Sequence, residues 1–145
     1  SLLEARLIEQ LMHSGLKVCL VRGTFQAPRK AYAEMEVYSF MNTNELNRAM
    51  QQSSWIICRS GYSSVMDLIR MSKQAILIPT PGQTEQEYLA QSLMAKEYFY
   101  SVSQHEINLL RDLKNARDYH PPKEPTNDLL DQNIRKLDNP LSREL

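Results

Sequence analysis

The segment Arg59-Ser-Gly-Tyr-Ser-Ser64 has the composition of an anion-binding turn. It follows the apolar run Ser54-Trp-Ile-Ile-Cys58 and precedes Val65, Leu68 and Ile69 at helical spacing, so it joins an expected strand to an expected helix. At such a junction the first N–H groups of the helix have no intrahelical partner and the helix dipole adds partial positive charge. Gly61 allows close backbone approach, and Arg59 supplies a fixed cation with bidentate reach. Asp67, one turn into the helix, offers a carboxylate to the hydroxyl groups of a ribose.

A second turn, Thr80-Pro-Gly-Gln-Thr-Glu-Gln-Glu87, places Gln83, Glu85, Gln86 and Glu87 around the next helix start. Planar amides and carboxylates pair well with vicinal hydroxyls, so this group suits a polyhydroxylated ligand such as a sugar. The sequence has no Asp-x-Asp pair and no His/carboxylate cluster, which leaves phosphate charge to Arg59 and the helix start rather than to a divalent cation. Plainer roles stand beside each of these. Asp67 and Glu87 each close a [Ser/Thr]-x-x-[Asp/Glu] box, where capping alone explains them. Arg59 could be a surface ion-pair partner, and residues 60–64 merely a polar turn. His13, His105 and His120 fall where solvated histidines are ordinary.

Stepwise reading of the chain supplies the elements that hold these turns. Leu3, Leu7, Ile8, Leu11 and Met12 predict a helix stopped near Gly15. Residues 17–21 read as a buried strand, residues 24–34 as a loop broken by Pro28, and residues 36–40 as a second strand. Residues 42–52 follow as a helix with Leu46, Ala49 and Met50 inward, and Ala75-Ile-Leu-Ile-Pro79 is the most strand-like run. A helix carrying Tyr88, Leu89 and Leu93 comes next, then a strand at 98–102 and a helix bearing Ile107, Leu110 and Leu113. Strands alternating with helices predict an α/β fold, a doubly wound parallel sheet of Rossmann type. Boxes at Ser1/Glu4, Ser64/Asp67, Thr84/Glu87 and Ser103/Glu106 mark expected helix starts. The chain opens at such a cap, so a strand and glycine-rich turn are expected to precede Ser1 in a longer protein. From Tyr119 the chain is Pro-rich and polar, with one helix expected near Leu129 to Leu137. This divides it into a domain over 1–118 and a tail over 119–145.

Composition narrows the function classes. With 145 residues, 42% hydrophobic, and 17 Lys plus Arg against 17 Asp plus Glu, the chain describes one globular domain with no charge footprint for nucleic acid. No run approaches the ~20 apolar residues that span a bilayer, and no secretory leader pattern is present, which points to a cytoplasmic setting. Cys19 and Cys58 lie far apart and are expected to be reduced, buried thiols. Trp55 and the Met residues mostly occur at core spacing.

Three separated pieces, Arg59-Ser-Gly-Tyr-Ser-Ser-Val-Met-Asp-Leu68, Ala75-Ile-Leu-Ile-Pro79 and Gln86-Glu-Tyr88, resemble the carboxyl-terminal domain of MurG-like family 28 glycosyltransferases. The resemblance is strongest over Phe40 to Ala90 and extends in element order over Ser1 to Arg117. It implies one half of a two-domain GT-B enzyme that transfers a hexosyl group, N-acetylglucosamine being one candidate, from a UDP-sugar to an acceptor hydroxyl. By that likeness the backbone at Met41 pairs with the uracil edge. Arg59 and the N–H groups of Ser63 and Ser64, beside Gly61, hold the diphosphate, and Asp67 bonds the ribose. Gln86 and Glu87 read the sugar hydroxyls, with the Tyr62 backbone near the sugar. No catalytic residue and no metal or other cofactor falls in this part. The acceptor and the general base belong to a missing amino-terminal domain, and the whole enzyme could touch the inner membrane face peripherally. Glu87 stands where a second glutamine is usual, Ala90 where an asparagine is, and Ser72 with Gln74 where a Gly-x-Pro turn is. Two other assignments fit the same pocket: a noncatalytic nucleotide-sugar-binding or regulatory subunit, and a nucleotide-sugar epimerase of the same architecture.

Overall fold

The computed structural model describes residues 1–24 and 35–124. The loop around Pro28 and the helix expected near Leu129 to Leu137 lie outside the described residues. Parallel strands alternate with helices, as an α/β fold of Rossmann type requires. The chain divides into two compact units, residues 1–53 with 108–110, and 54–107 with residues from 111 onward.

The first unit holds α1 (Leu2–Met12), β1 (Val18–Val21), β2 (Met35–Tyr38) and α2 (Thr43–Gln52). Helix α1 starts where its box predicts, with the Ser1 hydroxyl accepting from the Glu4 N–H at 3.2 Å. The Glu4 carboxylate then takes the Arg22 Nε donor at 2.7 Å, tying the helix to the end of β1. β1 and β2 pair in parallel from Val18 opposite Met35 to Val21 opposite Tyr38.

Two expectations fail in this unit, for one reason. The strand at 17–21 is not buried: Cys19 is exposed and its neighbours are half-covered. Leu46, expected inward on α2, is 39% exposed, and no residue of α2 is buried. Met12 is exposed as well. Apolar spacing names the face that can be covered, but only packing decides whether it is. The Cys19 thiol is held above the ordinary range by partial burial and, less, by Glu36, its cross-strand partner. Helix α2 starts with a reciprocal box that the Ser/Thr pattern misses: Asn42 Oδ1 accepts from the Glu45 N–H at 2.9 Å while the Asn42 N–H donates to Glu45 Oε2 at 3.0 Å.

The second unit is built on β3 (Ile56–Cys58), β4 (Ala75–Leu77) and β5 (Tyr100–Ser101), parallel and in that spatial order. Helices α3 (Tyr62–Arg70) and α4 (Thr84–Ala95) make the two crossovers. β4 lies between its neighbours and is buried throughout, and Val65, Leu68, Ile69, Leu89, Ala90, Leu93 and Phe99 complete the core. Both crossover helices end in the same way. The N–H of Lys73 bonds the Leu68 carbonyl at 2.9 Å and that of Tyr98 bonds the Leu93 carbonyl at 3.0 Å, with Ser72 and Glu97 at φ 53° and 59°. These are Schellman caps whose left-handed position is not glycine. Ser72 therefore sits where the Gly of a Gly-x-Pro turn belongs. Gln74, in the place of the Pro, does different work: its Nε2 donates to the carbonyls of Arg117 and Tyr119 at 3.2 and 3.1 Å and holds the chain that follows α5 (Leu109–Ala116).

The last helix begins later than its box suggests. Ser103 Oγ accepts from the N–H of His105 at 3.1 Å, forming a tight hydroxyl turn, and the helix starts at Leu109. Leu110, expected inward, is exposed, whereas Ile107 and Leu109 are buried. The fully buried Asp112 carboxylate receives the Tyr100 hydroxyl at 3.0 Å and the Arg111 Nε at 3.0 Å, so α5 is keyed to β5 by a satisfied charge. Among the described residues no helix is long and apolar enough to cross a membrane.

Candidate ligand site at the strand ends

In an open parallel sheet the carboxyl ends of the strands and the helix starts that follow them face a common crevice. In the second unit that edge carries Arg59 after β3, Ile78 and Pro79 after β4, and Gln104 beyond β5. The Arg59 guanidinium reaches all three. Its Nη1 donates to the carbonyls of Ile78 and Pro79 at 3.3 and 3.2 Å, and its Nη2 donates to Gln104 Oε1 at 2.9 Å. Every one of these acceptors is neutral. Among the described residues no carboxylate lies within ion-pair distance of Arg59. Desolvation lowers its pKa from the ordinary arginine value, which marks a cation partly removed from water without a countercharge.

Immediately beyond it, α3 begins at Tyr62 with Gly61 as its cap and no side-chain capping bond. The box read at Ser64/Asp67 is not a cap: Ser64 is already inside the helix. The first bond of the ladder runs from the Val65 N–H to the Gly61 carbonyl at 3.0 Å, so the N–H groups of Tyr62, Ser63 and Ser64 precede it. Gly61 itself has φ −72° and ψ 147°, a conformation open to any residue, and among the described residues nothing lies within 4 Å of where its Cβ would be. Its fold position does not demand glycine; the space beside it is what glycine preserves. Ser60 is fully buried and donates its hydroxyl to the Gln86 carbonyl at 2.8 Å, which fixes this turn to α4. Cys58, one residue before Arg59, has its thiol pushed up to about 12 by burial. Asp67 lies further along α3, its side chain 43% exposed, with Arg70 Nη1 at 3.7 Å.

The turn after β4 is held differently. Thr80-Pro-Gly-Gln83 closes with the Gln83 N–H on the Thr80 carbonyl at 3.1 Å and Gly82 at φ 81°, a type II turn with Pro and Gly where that turn needs them. The Thr84/Glu87 box is again not a cap, since Gln83 occupies the cap position without a side-chain bond. Glu87 Oε1 instead accepts from the Gly82 N–H at 3.1 Å. Gln86 spans the loop, with Oε1 accepting from the Thr80 N–H at 2.9 Å and Nε2 donating to Gln83 Oε1 at 2.9 Å. Gln86 and Glu87 thus brace their own turn, and among the described residues one Gln86 Nε2–H and Glu87 Oε2 are left over.

Arg59, Gly61, the α3 N–H groups, Gln86 and Glu87 all belong to the second unit. Met41 belongs to the first, where it is half-exposed just before the Asn42 cap of α2. Gln104 was missed by sequence reasoning, because it lies past the last strand inside the Ser103/Glu106 box, which was read only as a helix start. The one available signal was its place in the third strand-to-helix connection of a parallel sheet, where the same crevice is expected.

The family model for the glycosyltransferase family 28 C-terminal domain matches residues 5–138, nearly the whole chain. No curated protein and no solved structure matches it with significance.

Proposed function

Because this chain belongs to glycosyltransferase family 28, as the C-terminal, donor-binding domain, we propose that it grips the diphosphate of a UDP-sugar at the turn after β3. Such domains work with a nucleotide-sugar donor and an amino-terminal partner domain. The observation that carries the reading is the Arg59 guanidinium: partly desolvated, bonded only to neutral acceptors among the described residues, and placed at the start of α3. Among the described residues this cation has no anion beside it. The diphosphate supplies it, meeting Arg59 on one side and the N–H groups of Tyr62, Ser63 and Ser64 on the other, where the helix dipole adds to the attraction.

The remaining assignments follow the same reading. Gly61 leaves room for the phosphate to approach the backbone. Asp67 takes the ribose hydroxyls, and the spare polar groups of Gln86 and Glu87 address the sugar, with N-acetylglucosamine the first donor to test. In the whole enzyme the hydroxyl of an acceptor bound by the partner domain attacks the anomeric carbon as a general base of that domain takes its proton, the bond to the diphosphate oxygen breaks, and UDP leaves with its new charge stabilised by Arg59 and the α3 dipole. No divalent cation is assigned to the phosphates in this scheme, and peripheral contact with a membrane bearing the acceptor is a property of the whole enzyme.

Thermal melting tests the reading. UDP at 100 times its dissociation constant is expected to stabilise the chain by ~2.7 kcal/mol, visible as a rise of several degrees in Tm. A melting curve unmoved by millimolar UDP counts against it.

A further inference from the structure

Gln104 contributes the one side chain among the three acceptors that hold Arg59. A guanidinium carries five N–H donors. Two on Nη1 serve the Ile78 and Pro79 carbonyls and one on Nη2 serves Gln104; among the described residues the Nε donor and the second Nη2 donor take no acceptor. Those two lie on adjacent nitrogen atoms, the spacing with which arginine takes two oxygens of a phosphate group. The strand-end carbonyls are set by the sheet, but the carboxamide is free to differ from one sequence to another. Being neutral, it orients the cation without cancelling its charge.

Resting on the diphosphate reading above, we infer that Gln104 is a positioning residue that turns the free edge of Arg59 toward the diphosphate and so selects charged nucleotides over the bare nucleoside. Gln104→Glu keeps the size and the hydrogen bond but supplies the countercharge that the site otherwise leaves to the ligand. Gln104→Ala removes the hydrogen bond and lets the guanidinium turn.

The 145-residue chain and both variants are titrated with UDP and with uridine by NMR, and their melting temperatures are recorded. The expected result is a loss of about tenfold in UDP affinity for Gln104→Glu, ~1.4 kcal/mol, a smaller loss for Gln104→Ala, and unchanged uridine affinity and Tm in Gln104→Glu. If Gln104→Ala unfolds, Gln104→Glu carries the test. Variants that bind UDP as the parent does, or that lose UDP and uridine equally, overturn the role of Gln104 while leaving the diphosphate reading standing. A parent chain that does not bind UDP overturns both.

Discussion

The turns after β3 and β4 are built from similar polar residues and end in opposite conditions. After β4, Gln86, Glu87 and Gln83 spend their hydrogen bonds on Thr80, Gly82 and one another, and the loop is its own ligand. After β3, the charged group meets only neutral acceptors among the described residues and keeps two of its five N–H donors unspent. Polar residues at a strand end are therefore not equal evidence for a ligand. What distinguishes them is whether the folded chain has already satisfied them.

Substitutions can break or sharpen this contrast. Arg59→Met keeps much of the side chain's bulk and removes the charge, so UDP affinity is expected to fall by roughly 10- to 150-fold, the worth of a charge-assisted bond of ~1.5–3 kcal/mol; calorimetric titration reads it. Gly61→Ala fills the open space and is expected to weaken UDP by about tenfold, ~1.4 kcal/mol, with Tm nearly unchanged because nothing in the described fold occupies that space. A parallel loss of stability would show that the glycine serves the fold instead. Ser60→Ala removes the buried bond that ties the two turns together and is expected to cost about 1 kcal/mol of stability, read by denaturant unfolding. Glu87→Ala loosens the second turn by about 0.5–1 kcal/mol and leaves the affinity for UDP, which lacks the transferred hexosyl group, unchanged. An affinity for UDP that collapses in Glu87→Ala would erase the difference between the two turns.

Much of the arrangement was legible in the sequence. The apolar run before Arg59 and the apolar spacing after it define β3 and α3, and Ala75-Ile-Leu with its Pro-Gly turn defines β4 and its loop, because in these places local pattern and packing agree. The helix caps were less legible. Of the boxes at Ser1, Ser64, Thr84 and Ser103, only Ser1 bonds the backbone of its third residue, since a hydroxyl can cap only if the chain enters the helix at that residue. β1 and β4 show the same limit in burial. Both are short apolar runs, but β4 has a strand on each side while Cys19 on β1 is exposed, and which strand is central is a tertiary fact. The hold of Gln104 on Arg59 was invisible for a related reason: it joins residues 45 apart in sequence that only the sheet brings together.

The most direct measurement is a UDP titration followed on the backbone amides of the labelled chain. The amides of Tyr62, Ser63 and Ser64 are expected to shift downfield together and to saturate with one dissociation constant, while those of Thr80 and Gly82, already bonded to Gln86 and Glu87, move little. Saturable binding that shifts the second turn and leaves the start of α3 unmoved would contradict the placement of the diphosphate.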